Sequence, residues 1–417
     1  MVQKQDSSFG IHASMEPVVL NDSKVEMNNR LVQVKGDCCG CTSCMTACPV
    51  GAISMIADTE GFMYPDIDSG LCVNCGRCNE ACAFKLAKRG DVHDSRDMEQ
   101  RCFAAKHTSE SIRLASSSGG LYWAFSERIL DLGGVVYGAA FSEGLEVHHV
   151  RCEDTEQAKR CMGSKYSQSA MDDCYASVVT DLKEGRSVLF TGTPCQIDGL
   201  NRLLSVRKVN TEKLLTADII CHGVPSPKVF SKHIDFIASE RSSPVVAYWH
   251  RPKNNGWRHE EMFSLENGVH ESGTILSRLW KRVFYSNLAL RCSCYVCPYA
   301  KPDRMSDITI GDFWGIRDCH PELMDETGVS ALLVNTKKGY RFLESLSNLE
   351  LHECTFDDVL PKNPLLSRPS YLTRSRQRFW NRLANEGYAS TVRKYRWYGV
   401  RRILIEQAKR LLYRLNA

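Results

Sequence analysis

The chain has 417 residues, of which 43% are hydrophobic and 24% are charged, fractions that exclude a disordered, collagen-like or coiled-coil protein. Its 53 lysines and arginines exceed its 49 aspartates and glutamates by four, too small an excess to indicate nucleic-acid binding. The 20 cysteines are unusually many, and their spacing is the most informative feature of the sequence.

The N-terminal segment, residues 1–30, carries scattered charges and lacks the apolar core of a signal peptide. No uncharged apolar run reaches the roughly 18 residues that a membrane-spanning helix needs. We therefore expect a flexible N-terminal segment and a cytoplasmic protein. In that reducing compartment, clustered cysteines are expected to bind metal rather than form disulfides.

Two cysteine motifs follow within residues 31–90, and both have the spacing C-x2-C-x2-C-x3-C. The first motif contains Cys38, Cys41, Cys44 and Cys48, and the second contains Cys72, Cys75, Cys78 and Cys82. In bacterial ferredoxins with this spacing, the fourth cysteine of each motif ligates the other cluster. The expected ligand sets are therefore Cys38, Cys41 and Cys44 with Cys82, and Cys72, Cys75 and Cys78 with Cys48. We predict a small bacterial-ferredoxin-like domain with two 4Fe–4S clusters.

Two zinc sites are the alternative interpretation of these motifs. Zinc ribbons usually place two C-x2-C pairs well apart, so the three-plus-one spacing favours clusters. The additional Cys39 is not needed as a ligand. Two one-electron carriers in one chain indicate electron transfer but do not identify the electron acceptor.

Residues 91–360 repeat the order strand, glycine- or hydroxyl-rich loop, helix. Such loops are Ser116-Ser-Ser-Gly-Gly, Gly163-Ser-Lys-Tyr-Ser-Gln-Ser before an expected helix over 170–182, Thr191-Gly-Thr-Pro-Cys-Gln, and Cys221-His-Gly-Val-Pro-Ser-Pro. This order predicts an α/β core that binds ligand beyond the carboxyl ends of its strands. Because none of the loops is GxGxxG, a Rossmann nicotinamide site is not indicated. Taken alone, the serine–glycine loop also fits an ordinary surface turn.

Four further cysteines occupy loop positions in this core. They are Cys195 and Cys221, which each follow a strand, and the C-x2-C pair Cys294 and Cys297. Convergent thiolates at these positions could hold a third 4Fe–4S cluster. The alternatives are a zinc site, or cysteines that merely pack as small apolar residues.

Together with Ser-Cys-x-x-Cys-Pro and Asp307-Ile-Thr-Ile-Gly-Asp-Phe-Trp-Gly, these loops resemble, in order and spacing, the coenzyme F420 hydrogenase/dehydrogenase β-subunit family. The resemblance implies a flavin-binding α/β core with one FAD that exchanges electrons with iron–sulfur clusters. Relatives transfer hydride to or from the deazaflavin, whereas others reduce chlorophyll intermediates or bilin-like compounds. The family thus implies the cofactors but not the substrate, and it also favours the third cluster.

Residue by residue, the resemblance assigns three groups to FAD. The groups are Ser117, Ser118, Gly119 and Gly120 at the phosphates; Ser164, Lys165, Tyr166, Gln168 and Ser169 at the flavin; and Thr191, Gly192, Thr193, Pro194 and Gln196 around the rest of the pocket. Lys165 is expected to stabilise an anionic reduced ring. His222 is a candidate proton donor, with a buried histidine that positions its loop as the alternative.

Residues 361–417 are expected to form a basic helical tail. From Arg368 onward the sequence has thirteen lysines and arginines and two glutamates. The net charge of this part is therefore +11, and that of the remainder is −7. Apolar positions between Val400 and Leu415 recur with helical spacing. Such a helix could contact an anionic membrane at its inner face. It could equally dock on its own protein or on an acidic partner.

The sequence therefore predicts a cytoplasmic, FAD- and iron–sulfur-dependent oxidoreductase. Its expected partners are a redox protein, either ferredoxin or a hydrogenase/dehydrogenase subunit, and a small organic acceptor. The alternative is a non-catalytic electron-transfer subunit of a larger redox complex. A zinc-binding scaffold is a third interpretation.

Overall fold

The computed structural model describes residues 31–90 and 97–399, so the predictions for residues 1–30 and 400–417 lie outside it. Residues 31–90 form a small module around an antiparallel hairpin of β1 (Ile53–Ala57) and β2 (Met63–Ile67). Its helices are α1 (Ser43–Ala47), α2 (Arg77–Glu80) and α3 (Ala83–Lys88). One cysteine motif precedes the hairpin and the other follows it, as in the ferredoxin-like arrangement that the spacing predicts.

The rest of the chain is built on a mixed eight-stranded sheet. In chain order its strands are β3 (Arg101–His107), β4 (Val135–Phe141), β5 (Val147–Cys152), β6 (Val188–Gly192), β7 (Leu214–Ile219), β11 (Ile308–Asp312), β12 (Ser330–Val334) and β13 (Leu349–Cys354). The order across the sheet is β13-β3-β12-β11-β7-β6-β4-β5. The central pairs β4–β6, β6–β7 and β7–β11 are parallel, and the flanking pairs are antiparallel.

A second sheet and eleven helices complete this core in the described part of the chain. The small antiparallel sheet contains β8 (Val245–His250), β9 (Glu261–Leu265) and β10 (His270–Ser272). The helices are α4 (Glu110–Ala115), α5 (Leu121–Asp131), α6 (Thr155–Lys159), α7 (Cys174–Lys183), α8 (Pro194–Val206), α9 (Pro227–Arg241), α10 (Leu279–Tyr285), α11 (Ile316–Cys319), α12 (Lys337–Glu344), α13 (Phe356–Val359) and α14 (Arg376–Lys394). The structure is thus the mixed α/β fold that the sequence predicts.

The predicted helix over 170–182 begins later than expected. Ala170 instead extends the sheet edge, because its backbone N–H donates to Val147 O and its carbonyl accepts from His149 N, both at 2.8 Å. The helix therefore starts only at Cys174. The polar residues that precede it stay in a loop beside the sheet.

The ferredoxin-like module packs against α8. Ser43, which is fully buried, donates from Oγ to Ala81 O and to Gly199 O, both at 2.9 Å. A Cβ added at Gly199 would lie 2.8 Å from Cys41 Sγ, so glycine is needed there for the cysteine loop to approach the helix. This contact brings the first cysteine motif beside the core domain.

The described part of the C-terminal segment is docked on the protein itself. Helix α14 packs on α9 and buries Phe379, Trp380, Leu383 and Tyr388. None of the helices in the described ranges has the length and hydropathy to cross a bilayer. The amphipathic stretch from Val400 lies outside the described residues, so its predicted membrane contact stays a prediction.

Four buried histidines are held neutral by the fold. Burial lowers their pKa to about 3 for His233 and His250 and to about 4 for His149 and His259. Their usual pKa is about 6.5, so the unfolded chain binds more protons than the folded one between that value and the folded pKa. Stability is therefore expected to fall as the pH drops below about 6.5.

The His233→Gln variant should lose part of this acid sensitivity. Between pH 7 and pH 5, one such histidine contributes a loss of about 2 kcal/mol in the free energy of unfolding. Anaerobic urea unfolding at both pH values should show a drop for the wild type that exceeds the drop for the variant by this amount. An equal drop in both proteins would contradict the assignment.

Candidate redox site

The thiols of the first predicted ligand set lie near one another. Burial raises the pKa of Cys44 well above its usual value, and the neighbouring thiols of Cys41, Cys38 and Cys82 add to this increase. Cys82 belongs to the second motif, so the structure brings the fourth cysteine of that motif to the first three of the other. The crossed ligation pattern itself stays a prediction from the spacing.

The second set lies nearer the surface. The thiols of Cys72 and Cys75 are close enough to Cys78 to raise its pKa further, although burial is the main cause. Cys75 is exposed, and the neighbouring Leu71 and Val73 are 55% and 61% exposed. Cys48, the predicted fourth member, accepts a hydrogen bond on Sγ from Ala52 N at 3.3 Å.

In the described residues, the compact three-ligand group lies outside both cysteine motifs. In a tetrahedral zinc site with Zn–S bonds of about 2.3 Å, the sulfurs lie about 3.8 Å apart. Within residues 31–90 and 97–399, the three metal-ligating side chains whose ligand atoms lie within 4.8 Å of one another are Cys319, His320 and Asp358. A 4Fe–4S cluster binds each cysteine to a different iron and so holds the sulfurs further apart.

The four core cysteines also converge. The pKa of Cys221 is raised well above its usual value by burial and then by the thiols of Cys294, Cys195 and Cys297. These side chains come from the end of β7, the start of α8 and a short 3-10 turn over Cys292–Val296. The structure therefore brings these four thiols together, and a third cluster at this place stays a prediction.

The sequence of α8 explains why Cys195 points into this site. Thr193 caps the helix, Pro194 occupies its first turn, and the Gln196 side chain accepts from Thr193 N at 2.9 Å. This capping box fixes where the helix begins. Cys195 is thereby held in the first turn, at the carboxyl end of β6.

Cys39 lies between the first and third thiol sites. Its thiol interacts with those of Cys41 and Cys195, and these interactions together with burial raise its pKa well above the usual value. Cys39 is 7% exposed. The cysteine spacing makes Cys39 unnecessary as a ligand, and no sequence signal indicates its position between two sites.

A cavity of about 600 Å³ adjoins the third site and falls in the size range of cofactor pockets. The predicted FAD residues that line it are Ser117, Ser118, Gly120, Ser164, Lys165, Tyr166, Gln168, Ser169, Thr191, Gly192, Thr193 and Gln196. Cys195, Cys221 and His222 line it as well. Three loops that are distant in sequence thus close around one cavity.

Two of the predicted residues do not line the cavity. Gly119 packs against β3, where an added Cβ would lie 2.5 Å from Ala105 O. Its N–H donates to Ser330 Oγ at 2.9 Å. Pro194 borders the small neighbouring cavity around the third thiol site. Both residues therefore support the loops that line the large cavity without lining it themselves.

Hydrogen bonds hold the three loops together. Ser164 N donates to Ser117 Oγ at 2.8 Å, which joins the first two loops. The His149 ring lies 2.8 Å from Ser169 Oγ and 3.0 Å from Thr191 O, which joins the second and third. Because burial keeps the pKa of His149 at about 4, this bridge stays neutral at pH 7.

Lys165 uses its ammonium group on its own loop. Nζ donates to the carbonyls of Arg160, Met162 and Gly163 at 3.0, 2.8 and 3.1 Å. Burial lowers its pKa to about 8, while the nearby thiols oppose this shift. Lys165 thus lines the cavity and holds its own loop, which the sequence does not predict, and its expected role at the flavin ring stays a prediction.

His222 is half-buried and lines both the large cavity and the small cavity around the third thiol site. Its Nε2 lies 2.7 Å from Asn287 Oδ1, and its ring packs 4.8 Å from that of Phe284. Burial lowers its pKa, with the bond to Asn287 acting against this effect. The imidazole ring is therefore neutral at pH 7 and is held in place by Asn287. This state fits a residue that positions its loop better than it fits an imidazolium that donates a proton.

One wall of the cavity was not foreseen from the sequence. Arg251 lies 4.9 Å above the Trp314 ring and forms a bidentate ion pair with Asp312. Asp312 also accepts from Trp257 Nε1 at 2.8 Å. Tyr166 and Tyr285 continue this wall with aromatic surface. No sequence pattern marks an arginine that leaves β8 to reach β11.

Comparisons with known proteins agree with the motif analysis. Residues 185–357 match the C-terminal part of the family described as "Coenzyme F420 hydrogenase/dehydrogenase, beta subunit", and residues 37–86 match a "4Fe-4S dicluster domain". No curated protein matches the chain. A chain of the F420-reducing [NiFe] hydrogenase complex from Methanosarcina barkeri aligns with 64% of this chain and 87% of its own length, at 18% identity and a TM-score of 0.44. The two family matches confirm the predicted resemblance and support 4Fe–4S clusters.

Proposed function

Since the chain carries a C-terminal domain of the coenzyme F420 hydrogenase/dehydrogenase β-subunit family behind a 4Fe–4S dicluster domain, we propose that it is an iron–sulfur flavoprotein oxidoreductase. It exchanges single electrons with a redox partner protein and hydride with a small organic acceptor. The observation that carries this proposal is the shared boundary of the 600 Å³ cavity and the third thiol site, which have Cys195 and Cys221 in common.

Electrons enter at the second cysteine set in this proposal. Cys75 is exposed beside Leu71 and Val73, whereas Cys44 of the first set is buried. A partner protein can therefore approach the second set most closely. The thiols then follow one another inward, from the first set through Cys39 to the third site beside the cavity.

The cavity residues fit FAD. The serine–glycine loop ends at α5, an 11-residue helix whose N-terminal amides favour the negative charge of a pyrophosphate. Lys165 adds a positive charge to the wall, and Tyr166 supplies an aromatic face. FAD at this position would supply the conversion between one-electron and hydride chemistry.

The proposed acceptor is a planar organic molecule such as a deazaflavin. Tyr166, Tyr285 and Trp314 give one side of the cavity an aromatic lining. Arg251 is held against this wall by Asp312, so its charge is balanced before any substrate binds. This wall would therefore favour a substrate by its shape more than by its net charge.

An acceptor assay tests the proposed function. Anaerobic protein, reduced with dithionite or reduced ferredoxin, would be offered deazaflavin and a set of other hydride acceptors. Multiple turnovers of any small acceptor would support the enzyme. Inertness toward every small acceptor, combined with electron delivery to a partner protein, would contradict it and favour the non-catalytic subunit.

A further inference from the structure

Arg291 lies where the two parts of the protein meet, and its side chain is fully buried. The guanidinium donates to Cys38 O at 2.7 Å, to Met63 O at 2.8 Å and to Gln168 Oε1 at 3.1 Å. Its Nη2 also lies 3.5 Å from Cys38 Sγ. The arginine therefore touches a predicted ligand of the first cluster directly.

The charge of Arg291 has no carboxylate partner among residues 31–90 and 97–399. Other buried arginines in the same domain do have one: Arg304 pairs with Asp218, Arg251 with Asp312 and Arg376 with Glu60. Around Arg291 the structure provides carbonyl and amide oxygens, a thiol and aromatic faces, with Tyr64 at 4.3 Å and Phe62 at 5.4 Å.

A buried positive charge without a counter-charge is costly, and arginine cannot lose its proton in a protein. The missing negative charge is supplied by a 4Fe–4S cluster, because four thiolates outweigh the positive charge of the iron–sulfide core. Reduction adds one further negative charge. Arg291 therefore interacts more favourably with the reduced cluster than with the oxidised one.

We propose that Arg291 is the counter-ion of the first cluster and raises its reduction potential, which favours electron transfer to it from the second cluster. The inference deepens the proposed function, because it needs the first cluster to be present. Both its charge and its N–H···S contact act in the same direction, since hydrogen bonds to cluster sulfurs also raise the potential. Electrons received at the exposed second set would then move inward.

A purely structural role for Arg291 is the competing explanation. The same side chain fixes the loop Cys38–Gly40, together with Gln168, whose Nε2 donates to Cys39 O at 2.9 Å. If Arg291 only fixed this loop, its replacement would lower the amount of cluster retained but would not change the reduction potential of a retained cluster. Measuring the potential therefore separates the two roles.

The test is an EPR-monitored redox titration of wild type, Arg291→Gln and Arg291→Lys, with Cys75→Ser used to assign the second cluster. In Arg291→Gln, the equilibrium constant for reduction of the first cluster should fall at least tenfold, equal to about 59 mV for one electron. In Arg291→Lys, this equilibrium constant should fall less, because lysine keeps the positive charge. Arg376→Gln, which removes a buried arginine with its own carboxylate, should leave the first-cluster potential unchanged.

Unchanged first-cluster potential in Arg291→Gln would overturn the inference while leaving the clusters themselves established. If that variant loses the cluster, pulsed EPR of wild-type protein containing 15N-arginine gives the decision. A nitrogen coupling on the reduced first cluster that disappears in Arg291→Lys supports the contact, and no coupling in the wild type contradicts it. Absence of every cluster signal from the wild type would instead refute the proposed function.

Discussion

Replacing Cys294 by serine is expected to remove four irons from each chain. Anaerobically purified wild type should contain about 12 irons if all three thiol sites hold a cubane, and the variant about 8. The reason is geometric: Cys294 contributes to the thiol environment of Cys221, together with Cys195 and Cys297. Iron and sulfide analysis of both proteins measures the difference.

Cys292→Ser is the matched control for this experiment. Cys292 lies in the same 3-10 turn and is 4% exposed, but its surroundings are Arg376 and Glu60 rather than the other thiols. Its replacement should leave the iron content unchanged. Equal iron in Cys294→Ser and wild type would remove the third cluster from the account.

Filling the cavity at Ser164 is expected to abolish flavin binding. The Ser164→Trp variant places an indole among the loops that line the 600 Å³ space, where the proposed FAD would have to lie. We expect at least a tenfold loss of bound flavin, with iron content retained because Ser164 does not border the small cavity around the third thiol site. Flavin released by denaturation of the anaerobic protein gives the measurement.

Ser347→Trp, at an exposed position that does not line the cavity, controls for the effect of a new tryptophan. This variant should keep its flavin. Wild-type flavin content in Ser164→Trp would show that the cofactor does not occupy the cavity.

The features predicted from the sequence are those set by short-range spacing. Three cysteines at intervals of three residues, with a fourth four residues later, specify a ferredoxin loop wherever it lies in the chain. The capping box of Thr193 and Gln196 at the start of α8 is equally local, but these residues were expected only to line the FAD pocket. The α/β order also followed from local alternation of strands, loops and helices.

Features that depend on long-range packing were not predicted. Arg291 is 253 residues from Cys38, and Arg251 is 61 residues from Asp312, so no local pattern connects either pair. The hydrogen bonds of Lys165 were not predicted for a different reason. A lysine in a polar loop fits a ligand contact and a bond to its own backbone equally well, and only the backbone path of the loop distinguishes them.

The central claim is that clusters and flavin in one polypeptide take up electrons together, and a reductive titration of the anaerobic protein tests it most directly. With one electron for each of three clusters and two for FAD, the account predicts uptake of about five electrons per chain. The cluster and flavin absorbances should both bleach during the titration. Uptake confined to the clusters, with no flavin bleaching, would contradict it.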